Sequence, residues 1–200
     1  MDGNRYQEIR QEMQQVFQKA FDWNRLSSEQ IIGAATRLGV WHKNQLCYKE
    51  DEDKMIFFEY CFYESLTAKG SQIGQYREES GLTLASLMEQ SIHSLYEVVG
   101  CSRETNEVHL KDLIHADREE LSLVDINLSH SNAIGLIIYT RLIPFDNNYI
   151  STGVTMTFSK ENSHSALVQK SKIELKKRRK LSSQEQYQWA YLSYIKYSRS

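Results

Sequence analysis

The 200-residue chain is 40% hydrophobic and 25% charged, which excludes a disordered or collagen-like polymer and fits one domain, or two small ones closely joined. Its net charge of −2 conceals a split. Residues 160–200 hold ten Lys and Arg against three Glu, or +7, and the preceding 159 residues hold 14 basic against 23 acidic, or −9.

Residues 4–22 place Tyr6, Ile9, Met13, Val16, Phe17, Ala20 and Phe21 on one helical stripe. Ser27 and Gln30 have capping-box spacing for a second helix, and Gly39 after Leu38 predicts its left-handed stop. Asp51, Glu52 and Asp53 open a third helix, 51–65, at its positive dipole end. Its run Met55 to Tyr63 is apolar on nearly every side, which predicts the most buried helix. Short helices over 71–79 and 83–93 complete a helical region, 1–93.

From Ser94 the period changes to two. Segments near 95–99, 108–110, 121–123, 134–143 and 150–158 predict five strands in a small β domain, 94–159. Pro144 marks the end of the fourth, and Asp146-Asn147-Asn148 is a turn signal before the fifth. Short strands with tight turns suggest an antiparallel sheet or a partly closed barrel. Helices over 161–180 and from Ser182-Ser183 to about Tyr197 make a C-terminal region, 160–200. The expected fold is α+β, with the three regions forming one compact unit.

No apolar run of about 18 residues occurs, so membrane insertion is not expected, and the N-terminus has no secretory pattern. Cys47, Cys61 and Cys101 are odd in number and include no C-x-x-C pair, which points to a reducing cytoplasm. Signatures of serine hydrolases, zinc proteases and nucleotide loops are missing.

The helix Phe57 to Glu64, the junction Ser94 to Val99 with Val108 to Leu113, and the pair Ala133–Pro144 and Tyr149–Gly153 together resemble an uncharacterised family of bacterial proteins. Some of its members are associated with a C-terminal SEC-C zinc-binding motif. The resemblance covers about half the chain, from about Met55 to Phe158, and implies helices followed by a small β domain. It implies no catalytic residues. The Cys and His cluster of a SEC-C tail is replaced here by basic and aromatic residues.

Cys101, His109 and His115, with His93 as a possible fourth ligand, are the best metal candidates, but the two histidines six apart read as surface residues, so no metal and no cofactor is expected. Asp112, Asp117, Glu119, Glu120 and Asp125 read as a solvated turn rather than an acid–base pair. Cys61, inside an apolar helix, is a poor nucleophile.

The strongest signal is the basic run ending in Lys176, Lys177, Arg178, Arg179 and Lys180, followed by an aromatic helix. In that helix Tyr187, Tyr191 and Tyr194 recur at helical spacing, with Trp189, Leu192 and Ile195 in the next sector. Such a helix either closes the protein's own core or anchors a partner. The expected function is therefore non-enzymatic: a protein-binding adaptor or chaperone-like accessory subunit of a larger assembly, with this tail as its contact. The alternative is nucleic-acid binding through the β domain and the basic helix. A third possibility is that the tail folds back on the acidic body.

Overall fold

The computed structural model describes residues 3–20, 26–65, 70–115, 117–158 and 180–198. The helix expected over 161–180, and Lys176, Lys177, Arg178 and Arg179 with it, lie outside these residues. Helix α1 (Gly3–Ala20) buries Tyr6, Ile9, Met13 and Val16 as its spacing predicts. Helix α2 (Ser28–Leu38) begins at the capping box: Gln30 N donates to Ser27 Oγ at 3.2 Å, and Ser27 N donates to Gln30 Oε1 at 2.8 Å. It stops at Gly39, whose φ of 73° is left-handed. A hairpin that the sequence reading lacks follows, β1 (Trp41–His42) and β2 (Gln45–Leu46), turned by Lys43 and Asn44 at positive φ.

Helix α3 (Asp51–Tyr63) is the buried centre, with Ile56, Phe57, Tyr60, Cys61 and Phe62 all at 2% exposure or less. Helix α4 (Gln72–Ser80) packs beside it, and α5 (Thr83–Glu89) packs on α4. The predicted helix 83–93 thus ends early, and β3 (Ile92–Ser102) starts two residues before the expected change at Ser94. Strands β4 (Glu107–Asp112) and β5 (Leu121–Val124) follow, then the short helix α6 (Ile126–His130), then β6 (Ile137–Phe145) and β7 (Asn148–Phe158).

The five long strands close into a barrel in the order β3-β4-β5-β7-β6, with β6 returning to pair with β3. The expectation of an antiparallel sheet fails at one joint. Strands β5 and β7 run parallel through Leu123↔Tyr149 and Val124↔Ile150. The cause is the connection through α6, which carries the chain across so that β7 comes back beside β5 in the same direction. Along β3 and β6, Tyr96, Val98, Ile138 and Leu142 join Val108, Leu110 and Leu123 in one cluster. Their alternates Leu95, Ile137 and Tyr139 face α2 and α3 instead. Among the described residues no helix is long and apolar enough to cross a membrane.

The last helix, α7 (Ser183–Ser198), starts at a capping box in which Ser182 N donates to Glu185 Oε2 at 2.8 Å. Tyr187 and Tyr191 are buried to 1% or less. Tyr187 donates to Glu59 Oε2 at 2.6 Å and Tyr191 to Asp53 Oδ1 at 2.8 Å. Of the two roles open to this aromatic face, the two tyrosines take the core-closing one. Leu192, in contrast, is 47% exposed.

Tyr187→Phe and Tyr191→Phe are each expected to lower unfolding free energy by about 1–3 kcal/mol, because each leaves a buried carboxyl group short of a donor. Leu192→Ala should stay within about 0.5 kcal/mol. Urea unfolding of the three variants measures the contrast.

Candidate functional site

Two features bring chemistry-bearing residues together. The first is a buried clamp where α3, β3, β6 and α7 meet. Glu64, one residue past the α3 helix, forms an ion pair with Arg141 of β6, and both are about 95% buried. Arg141 also donates to Ser91 Oγ at 3.2 Å and lies over the Tyr63 ring at 4.1 Å. Ser183 donates to Glu64 Oε2 at 2.6 Å, and His93 Nε2 lies 2.7 Å from Ser183 Oγ. Tyr139 reaches His93 Nδ1 on its other side.

One assignment of protons satisfies the whole chain. Tyr139 donates to Nδ1, Nε2–H donates to Ser183, and Ser183 donates to Glu64. His93 is then neutral. Burial first, then the Arg141 and His115 charges, hold its pKa well below the usual 6.5. Glu64 Oε1 at 3.8 Å pulls the other way, but Arg141 already neutralises that carboxylate. The arrangement fastens the first turn of α7 to the barrel.

The second feature is a groove of about 640 Å³ between α1 and the α3–β7 surface. An irregularity in β7 makes it. Thr140 pairs with Thr155 and Leu142 with Ser151, so Thr152, Gly153 and Val154 bulge opposite Arg141 alone. Gly153 has φ of 96°, and the Arg10 guanidinium lies where a Cβ on it would be. Arg10 Nη1 donates to the Ser151 carbonyl at 2.6 Å. Thr152 turns inward and donates to Glu59, which lines the groove floor. Burial raises the Glu59 pKa, against the opposing pull of Arg141, Thr152 and Tyr187. Met55, Phe58 and Val154 form one wall, and Gln7, Gln11, Gln14 and Gln18 of α1, together with Met13 and Phe17, form the other.

Of the residues singled out in the sequence, Lys180 is described and exposed. Trp189 and Tyr194 are half-buried and pack on the core cluster. Cys101, His109 and His115 do not assemble. His109 packs on Gly100 in the β3–β4 ladder, and His115 Nδ1 lies 3.3 Å from Asp112. Among the described residues no three His, Cys, Asp or Glu side chains gather as a metal set.

The solvated-turn reading needs correction at Asp112, which is 1% exposed. It accepts from Ser94 Oγ at 2.6 Å, from the backbone N–H groups of Ile114 and His115, and from Arg118 at 3.1 Å. Asp125 caps α6 through Leu128 N at 2.9 Å, while Asp117, Glu119 and Glu120 are exposed. Burial pushes the Cys61 thiol up to about 12, as an apolar helix predicts. The clamp has no sequence signature, because Glu64, His93, Arg141 and Ser183 are far apart in the chain. The bulge has a weak one, a lone glycine inside an alternating strand.

Compared with known proteins, residues 1–196 match the model of a family of unknown function (DUF7986), and the chain belongs to that family. No curated protein and no solved structure matches it. The matched span continues past residue 160 through the basic run and α7.

His93 gives a pH signature. The unfolded chain takes up a proton on this residue near pH 6.5 that the folded protein refuses, so stability should fall as pH drops from 7 to 5. Glu59 has the opposite sign: its raised pKa favours the fold at low pH, and that contribution fades as pH rises. A His93→Gln variant should therefore lose less stability than wild type between pH 7 and 5, as measured by urea unfolding at each pH.

Proposed function

We propose that this member of the family is a non-enzymatic, partner-binding accessory protein of the cytoplasm, an adaptor or chaperone-like subunit of a larger assembly. Its contact is the outer strip of α7 together with the basic run Lys176–Lys180. One observation carries this reading: Leu192 is 47% exposed, with half-buried Trp189 and Ile195 on the same side, on a helix whose other face is locked into the core. An apolar strip on a rigidly held helix, entered from a run of cations, suits a protein surface that is apolar at its centre and acidic at its rim.

Deletion of the tail would remove Tyr187 and Tyr191 from the core, so surface substitutions are the informative probe. Full-length wild type, Leu192→Asp, and a variant with all five cations changed to Ala would be compared by quantitative affinity purification from the native host. Thermal melts should coincide. Partners retained by wild type should fall by about tenfold or more in both variants. Equal recovery in all three overturns the proposal. Salt-sensitive RNA or DNA binding that is lost only with the five cations would favour the nucleic-acid alternative.

A further inference from the structure

The groove between α1 and α3 lies apart from the α7 strip, and its lining has a chemistry of its own. We infer that it binds an extended segment of a partner protein, with an acidic side chain of that segment on Arg10 and apolar side chains against Met55 and Phe58.

Charge supports the acidic contact. Among the described residues Arg10 makes no ion pair with a carboxylate, and its guanidinium donates to the Ser151 carbonyl. The other titratable side chain in the lining, Glu59, is closed off by Thr152 and Tyr187. An anion arriving at this place meets a guanidinium already held against the Gly153 bulge by its bond to the Ser151 carbonyl, so little ordering remains to oppose binding.

The two walls specify an extended chain rather than an alkyl ligand. Met55 is 55% exposed, a large apolar side chain presented to the groove. Opposite it, Gln7, Gln11, Gln14 and Gln18 form a row of exposed amides. At helical rise the row spans about 16 Å, the length of about five residues of extended chain. Each amide both donates and accepts, as peptide groups require. A hydrocarbon chain would displace the water on these amides and return no hydrogen bond.

The groove also continues beyond Arg10. A second hollow of about 470 Å³ shares Gln7, Arg10 and Gly153 and is lined by Ser151, Thr155 and Thr157, with Asp125 also in its lining. A segment can therefore run past Arg10, which favours an internal Asp or Glu over a chain terminus.

The test is selection of phage-displayed random 12-residue peptides on immobilised full-length protein, followed by fluorescence anisotropy with the enriched peptides. Enriched sequences should share an internal acidic residue flanked by apolar ones. Met55→Arg and Arg10→Gln should each weaken binding by about tenfold or more. Changing the peptide's acid to its amide should cost as much on wild type and little more on Arg10→Gln. Alanines at Lys176–Lys180 should leave affinity unchanged, which separates this site from the α7 surface. No enrichment over bare support, enriched peptides without an acid, or affinities unmoved by Met55→Arg would each overturn the inference.

Discussion

Three acidic side chains borne by α3 and its last turn determine how the C-terminal helix is seated. Asp53, Glu59 and Glu64 are all below 5% exposure, and an unmatched buried carboxylate costs several kcal/mol. Each is matched from α7: Tyr191 to Asp53, Tyr187 to Glu59 and Ser183 to Glu64. Numbers rise along α7 as they fall along α3, so the two helices run antiparallel with their register set by hydrogen bonds. Apolar packing alone would tolerate a slide along the helix. A slide here would leave three buried acids with the wrong neighbours, and the penalty rises with each of them.

Glu59 extends this constraint to the barrel. One of its oxygens accepts from Tyr187 of α7 and the other from Thr152 of the β7 bulge. The bulge opens the groove, and the same acid holds the bulge inward. Arg141, at the single position opposite the bulge, is anchored on Glu64. The groove floor and the seating of α7 therefore share one polar network. A perturbation at Tyr187 reaches the Thr152 hydroxyl through a single carboxyl group, with no movement of backbone needed to connect them.

Local chemistry was legible in the sequence. Ser27 with Gln30, Gly39, and the Asp146-Asn147-Asn148 turn each act through groups within a few residues, and the structure uses all three as read. The apolar run of α3 was legible too, and Glu59 within it could have been read as an acid in need of a buried partner. What pairs with it could not, because Tyr187 is 128 residues away. The parallel β5–β7 joint depends on two residue pairs and on the path of the α6 connection, neither of which leaves a period in the sequence. The helical spacing of Tyr187 and Tyr191 was read correctly, but spacing does not say whether a face turns toward the core or away. That choice was made by the hydroxyl acceptors on α3.

The same acids bear on the charge split. Of the acidic residues before position 160, Asp53, Glu59, Glu64 and Asp112 are buried and hydrogen-bonded, so their charge is not offered to a basic tail. The exposed acids Asp51 and Glu52 stand at the start of α3. Because the helices are antiparallel, α7 begins at the opposite end, beside Glu64, with Lys180 just ahead of it. Thirteen residues of helix separate those ends by about 20 Å, roughly twice the distance over which exposed charges act at physiological salt. The seating of α7 thus places Lys180, the one described cation of the run, well apart from Asp51 and Glu52.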